Sequence, residues 1–166
     1  MSVSAGLRKE VWNSMLRAEM NAIYWGEMVR RAYNKDRVCK FFLLATSSTT
    51  VAGWKFWQDY DFLWKGLSVI SALLAIALPI INWAKNVADG SNIRGKWLQL
   101  ARELSNLRVQ IASGQRTETE IQGIYDALTT KEAAVSTEET PHRINQKARQ
   151  EAFDEVLKTR GLKRTK

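Results

Sequence analysis

The sequence predicts an all-α membrane protein: two transmembrane helices, a long N-terminal cytoplasmic helix before them and a C-terminal cytoplasmic helical bundle after them. Three observations predict it. The nineteen residues Gly66–Ala84 carry no Asp, Glu, Lys or Arg. Apolar residues on either side of that window recur at three- and four-residue steps, the period of one helix face. Only 2 prolines and 9 glycines punctuate 166 residues, and no segment alternates as a strand would. The chain divides accordingly into an N-terminal helix (1–37), a transmembrane hairpin (38–88) and a helical C-terminal region (89–166).

In the first segment, Leu7, Val11, Met15, Leu16, Met20, Ile23, Tyr24 and Met28 form one stripe. The spacing predicts a helix from about Ala5 to Asp36, able to continue unbroken into the first span. The stripe suits packing on the C-terminal helices, or lying on anionic lipid. The first span lies within "FFLLATSSTTVAGWKFW", Phe41–Trp57. Fourteen residues separate Lys40 from Lys55, a short run with a polar centre. Serine and threonine hydroxyls can bond back to their own helix backbone, and lysine stems can snorkel, so the run serves as one arm of a hairpin. Gln58–Lys65 supplies the turn.

The window Gly66–Ala84 is the second arm. At about 1.5 Å per residue it covers most of a ~30 Å hydrocarbon core. Trp54, Phe56, Trp57, Tyr60, Phe62 and Trp64 precede it and Trp83 closes it, as in the aromatic belts of the two membrane interfaces. A core helix buried on every side is the competing reading. Cations flank the hairpin: Arg30, Arg31, Lys35, Arg37 and Lys40 before it, Lys85, Arg94, Lys96 and Arg102 after it. Such flanks stay cytoplasmic, which places both termini inside and the short loop outside. No cleavable leader precedes the first apolar run.

Beyond the hairpin, "NVADGSNIRG" suggests a break with Ser91 as N-cap. Ile93, Trp97, Leu98, Leu100, Ala101, Leu104, Leu107 and Ile111 then mark an amphipathic helix that Gly114 ends as C′ residue. "TETE", Thr117–Glu120, is a capping box opening the next helix, with Ile121, Ile124, Tyr125 and Leu128 inward. Thr140 with Pro141 predicts an N-cap and first turn for a last helix bearing Ile144, Ala148, Ala152, Phe153, Val156 and Leu157. The basic tail "KTRGLKRTK" is expected to fray.

Catalytic signatures are missing. One cysteine, Cys39, excludes an intrachain disulfide, and one histidine, His142, excludes a His-pair metal site. No phosphate-cradling glycine loop, GxSxG or HExxH occurs. The chain is expected not to be an enzyme and to hold no cofactor or metal. The formal net charge of +8 points instead to an anionic partner: lipid surface, nucleic acid or nucleotide.

Two helices alone cannot enclose an ion path, whereas several copies around an axis can. The second span carries Ser68, Ser71, Ala75, Leu78 and Asn82 at 3-4-3-4 spacing, a seam fit to line such a path. Leu78 would form a constriction that gates by dewetting, and Pro79 beside it removes a backbone donor. The same small residues equally suit close helix packing. Thr46, Thr49 and Thr50 on the first span are the alternative lining or interhelix contact.

The tail stretches "WLQLARELSNLRVQIASGQRTETEIQGIYDAL" (Trp97–Leu128) and "TPHRINQKARQEAF" (Thr140–Phe153), after two spans, resemble the SLATT family of two-span effectors in bacterial conflict systems. The resemblance implies a protein of the bacterial inner membrane, assembled as a homo-oligomer (a tetramer or larger ring). It also implies a pore-forming anti-phage effector gated by a nucleotide or oligonucleotide that a partner nucleotidyltransferase-like enzyme makes. Such a ligand needs cationic donors and a stacking platform. Arg94, Lys96, Trp97 and Arg102, with Arg30, Arg31 and Arg37, are the candidates; attraction to anionic lipid is their other use. Two further functions stay open: a membrane-anchored helical scaffold that binds a partner protein without conducting ions, and a soluble basic protein binding nucleic acid.

Overall fold

The computed structural model describes residues 3–47, 61–139 and 145–162; within its helices, the side chains at 46, 47, 61, 63, 64 and 78–81 are not described. All five elements among the described residues are helices: α1 Ala5–Ser47, α2 Asp61–Ile81, α3 Trp83–Ser113, α4 Glu118–Glu139 and α5 Gln146–Thr159. The all-α class is therefore what the structure shows. The expected spans are not: among the described residues no helix is long and apolar enough to cross a membrane. In α2 the longest run of described side chains is 65–77, about 20 Å of helix against a ~30 Å hydrocarbon core. The residues 48–60, which hold most of the expected first span with Thr49 and Thr50, lie outside the described residues.

Two compact units result, Met1–Met28 with Gly90–Lys166, and Val29–Asp89. The first is a four-helix bundle built from the start of α1 with α3, α4 and α5. Its core follows from heptad-like seams. On α3, Ile93, Trp97, Leu100, Leu104, Leu107 and Ile111 are buried, a 4-3-4-3-4 spacing that keeps one face turned to its neighbours. On α4 the buried Ile121, Tyr125, Leu128 and Val135 keep the same period. α1 contributes Leu7, Val11, Met15 and Tyr24 from the expected stripe, and also Ala18, Ala22 and Trp25.

Contacts set the directions. Ser14 Oγ and Tyr125 Oη are 3.1 Å apart, Arg17 Nε donates to Glu132 at 3.1 Å, and the Trp25 indole donates to Glu139. These pairs ascend together, so α1 and α4 run parallel. Lys96 meets Glu138 and Lys131 meets Glu103, which makes α3 and α4 antiparallel. Tyr24 Oη accepts from the Asn145 backbone N–H at 3.1 Å while Glu19 pairs with Arg160, so α5 descends along α1. Ser14 is the one buried polar residue among those described. Bonded to Tyr125 and to Arg17, it ties the α1–α4 register with satisfied polar groups rather than by apolar fit alone.

Helix ends follow local chemistry, twice as expected and three times not. Thr117 and Glu120 form the reciprocal capping box: the Thr117 N–H and hydroxyl both donate to Glu120 Oε2 at 2.9 Å, and the Glu120 N–H returns to Thr117 Oγ1 at 3.4 Å. Gly114 ends α3 with φ 65°, a left-handed turn open to glycine without Cβ strain. Ser91, by contrast, caps nothing: α3 begins at Trp83 and passes through it. Asn82 takes the break instead. Its φ is 45°, tolerable for asparagine, and its Oδ1 accepts the Lys85 N–H at 3.2 Å. The last helix opens at Gln146 with Asn145 as N-cap, Oδ1 accepting from Ala148 N–H at 3.1 Å; Thr140 and Pro141 lie outside the described residues. Nor does the tail fray at once. The Gly161 N–H reaches Lys158 O at 3.2 Å and the Leu162 N–H reaches Leu157 O at 2.8 Å, a Schellman closure at a glycine with φ 64°.

Candidate functional site

The expected pore stripe falls on α2 in the second unit. Ser68 and Ala75 are exposed and Ser71 is half-buried. Ser71 Oγ donates back to Leu67 O at 2.8 Å, so this hydroxyl is satisfied within its own helix. The side chains of Leu78 and Thr46 are not described. α2 passes Pro79 and ends two residues later. Asn82 lies beyond α2, its side-chain oxygen used as a cap, so the stripe as α2 presents it ends before that position.

The seven cationic and aromatic candidates divide between the units. Arg30, Arg31 and Arg37 belong to the second, and Arg94, Lys96, Trp97 and Arg102 to the first. Trp97 is not a stacking platform. It is 1% exposed, and its indole N–H donates to Glu139, as does that of Trp25. One carboxylate at the end of α4 thus closes two buried donors from α1 and α3. Lys96 is neutralised by Glu138 at 2.6 Å. Arg102 stands on the exposed face of α3.

Arg94 differs. Among the described residues it has neither an ion pair nor a hydrogen bond. It edges a cleft of about 310 Å³ between α1, α3 and α5. Ala22, Ile23, Leu98 and Val156 line the apolar part; Thr159, Arg160 and Glu19 complete the polar rim. Gly26 positions the arginine. A methyl group there would stand 3.2 Å from Arg94 Nε and 3.5 Å from Cζ, so the bare α-carbon lets the guanidinium stem lie against α1. On that polar rim Arg160 grips Glu19 through two bonds, Nε to Oε2 at 3.0 Å and Nη2 to Oε1. The Glu19 carboxylate pushes the Arg160 pKa above its usual value, against a smaller desolvation effect. Arg160 also lies 5.9 Å from the Trp12 ring centroid, and Arg108 stacks on that ring at 4.4 Å.

Glu19, Thr159 and Arg160 carry no sequence signal. The Glu19–Arg160 pair joins residues 141 apart, and only a folded bundle brings them together. Elsewhere, Glu103 receives Lys131 Nζ at 2.8 Å and Gln99 Nε2 at 2.9 Å; those donors hold its pKa below the usual glutamate value. Among the described residues no group of three His, Cys, Asp or Glu could hold a metal ion. Compared with protein-family models, curated proteins and solved structures, the chain matches none.

Proposed function

We propose that the chain is an oligomeric, ion-conducting effector of a bacterial membrane. In this reading a hairpin within residues 38–88 enters lipid, and copies gathered about an axis form the pore. A nucleotide or oligonucleotide signal from a partner enzyme changes its conductance. The setting is anti-phage defence, where membrane leakage arrests growth. The observation that carries the reading is the outer surface of the second unit. Phe41 and Leu44 on α1 are 74% and 71% exposed, and Phe62 on α2 is 86%. Val38, Val69, Leu73 and Ile76 are also exposed. An apolar surface on both helices is costly in water and stable in lipid or against like copies. The uncharged run Gly66–Ala84 and the resemblance of the tail to SLATT effectors support the same reading.

A ligand contact at Arg94 is compatible with this reading, since that guanidinium has no protein partner among the described residues. Trp97 is withdrawn from the proposed ligand set by its burial. The test is leakage from liposomes carrying the full-length protein and an entrapped dye. Leu78→Ser should leak without any signal, because a polar ring no longer dewets. Tight liposomes, with the variant inserted and assembled in a ring, would oppose the pore.

One observation favours the scaffold as second reading: the first unit has its own buried core with a charged exterior, as a partner-binding bundle would. Replacing residues 38–88 by an unrelated two-span anchor separates the two. A scaffold keeps its activity, whereas a channel loses it.

A further inference from the structure

We infer that the cleft between α1, α3 and α5 is a binding site for a small amphipathic anion, with Arg94 holding the charged head. The inference does not rest on the pore reading, because the cleft lies wholly within the first unit.

Three features of the cleft point to that class of ligand. The first is size: about 310 Å³, at the lower end of the range for small-molecule sites. The second is the division of its walls. Ala22, Ile23, Leu98 and Val156 offer hydrocarbon, and Leu98 stays 37% exposed although its helix neighbours Trp97 and Leu100 are buried. The third is the cation. Arg94 faces this cleft without an acid of its own among the described residues, and Gly26 seats it there. A guanidinium presents a planar fork matched to carboxylate or phosphate oxygens. Thr159 adds a hydroxyl on the same rim.

The cleft already shows how it treats an anion. Glu19 is a carboxylate on the same rim, taken by Arg160 in a two-bond grip. It spends Arg160 and leaves Arg94 as the open cation. Among the described residues no aromatic ring lines the cleft, so none of them stacks a base. The lining fits a short aliphatic body with a carboxylate or phosphate head. A membrane lipid or a free small acid would both present that chemistry.

Calorimetric titration of the full-length protein in zwitterionic nanodiscs tests this, with hexyl phosphate as probe and hexanol and inorganic phosphate as controls. Hexyl phosphate should bind saturably, one per chain. Hexanol should not bind, and inorganic phosphate should bind at least tenfold more weakly. Arg94→Gln should weaken hexyl phosphate tenfold or more, with Arg94→Lys in between. Glu19→Gln should tighten it several-fold, because Arg160 is then released to the ligand. Far-ultraviolet circular dichroism confirms that each variant keeps its helices; Arg94 is exposed, so its loss leaves the core intact. Equal binding by Arg94→Gln, saturable binding of hexanol, or no saturable heat in the wild type would overturn the site. Repeating the titration in discs of anionic lipid assigns the source. Loss of the heat marks lipid as the occupant, and its persistence marks a free acid; either outcome keeps the anion at Arg94.

Discussion

In the unit formed by Met1–Met28 and Gly90–Lys166, Val11, Met15, Trp97, Leu104 and Ile121 are at most 1% exposed. In the unit Val29–Asp89, Val38, Phe41, Leu44, Phe62, Leu73 and Ile76 are between 61% and 86% exposed. Valine, leucine and isoleucine occur in both sets, and their placement is opposite. The first unit satisfies the hydrophobic effect internally: α3 and α4 turn heptad seams toward partners, and lysine–glutamate pairs such as Lys131–Glu103 stay on the outside. Among the described residues of the second unit these side chains find no such interior. A surface of that kind marks a contact with lipid, a partner protein or like copies. Composition does not separate the two units; the burial of their apolar side chains does.

The contrast can be broken first where the apolar surface is largest. Leu73→Asp should lower insertion of the hairpin by about 3–4 kcal/mol if lipid surrounds it. The inserted fraction in a translocon-based assay reads this directly, and an unchanged fraction would place Leu73 in water. The corresponding change in the other unit is Leu104→Ala. That side chain is 1% exposed, so its removal should cost about 2–5 kcal/mol. Urea titration of the full chain, followed by circular dichroism, measures it. Leu73→Ala, as control, should leave the bundle transition in place.

Glu139→Ala strands two indole donors at the end of the bundle and should cost about 2–4 kcal/mol. Glu139→Gln should recover most of that, since an amide oxygen still accepts. Equal losses in the two variants would refute the anchoring role. Thr117→Ala removes the capping box of α4 and should cost about 1 kcal/mol.

The smallest effect is that of acid. Donation by Thr117 to Glu120, and by Lys131 and Gln99 to Glu103, holds both carboxyls below their usual range. A carboxyl with a depressed folded pKa contributes stability above its unfolded pKa and loses it as pH falls through the folded one. The bundle should therefore soften below the ordinary glutamate range. Glu103→Gln should flatten part of that slope, and melting curves from neutral to acidic pH check it.

Much of the first unit was legible in the sequence because its signals are local. The α3 seam from Ile93 to Ile111 uses large aliphatics at a strict period, and the Thr117–Glu120 box and Gly114 need only their neighbours. Ala18 and Ala22 on α1 escaped because alanine carries little hydrophobic signal; their burial follows from how closely α1 approaches its partners. Leu98, expected inward, sits one step off the seam at the edge of the cleft. Ser91 misled because "DGSN" resembles a helix stop, whereas Gly90 is buried inside α3. Of the proposed anion site only Arg94 was visible as a ligand contact; Ile23, Leu98 and Val156 were expected as packing residues. Trp97 satisfied two patterns at once, a stacking candidate beside cations and a member of an apolar seam, and packing decided for the seam. Arg160 and Glu19 depend on a closure across 141 positions that no local pattern records.

We propose that lipid surrounds the second unit. Washing membranes from cells that express the full-length chain with alkaline carbonate tests it most directly. The protein should remain with the pelleted bilayer; quantitative release as a helical, water-soluble species would place the second unit in water.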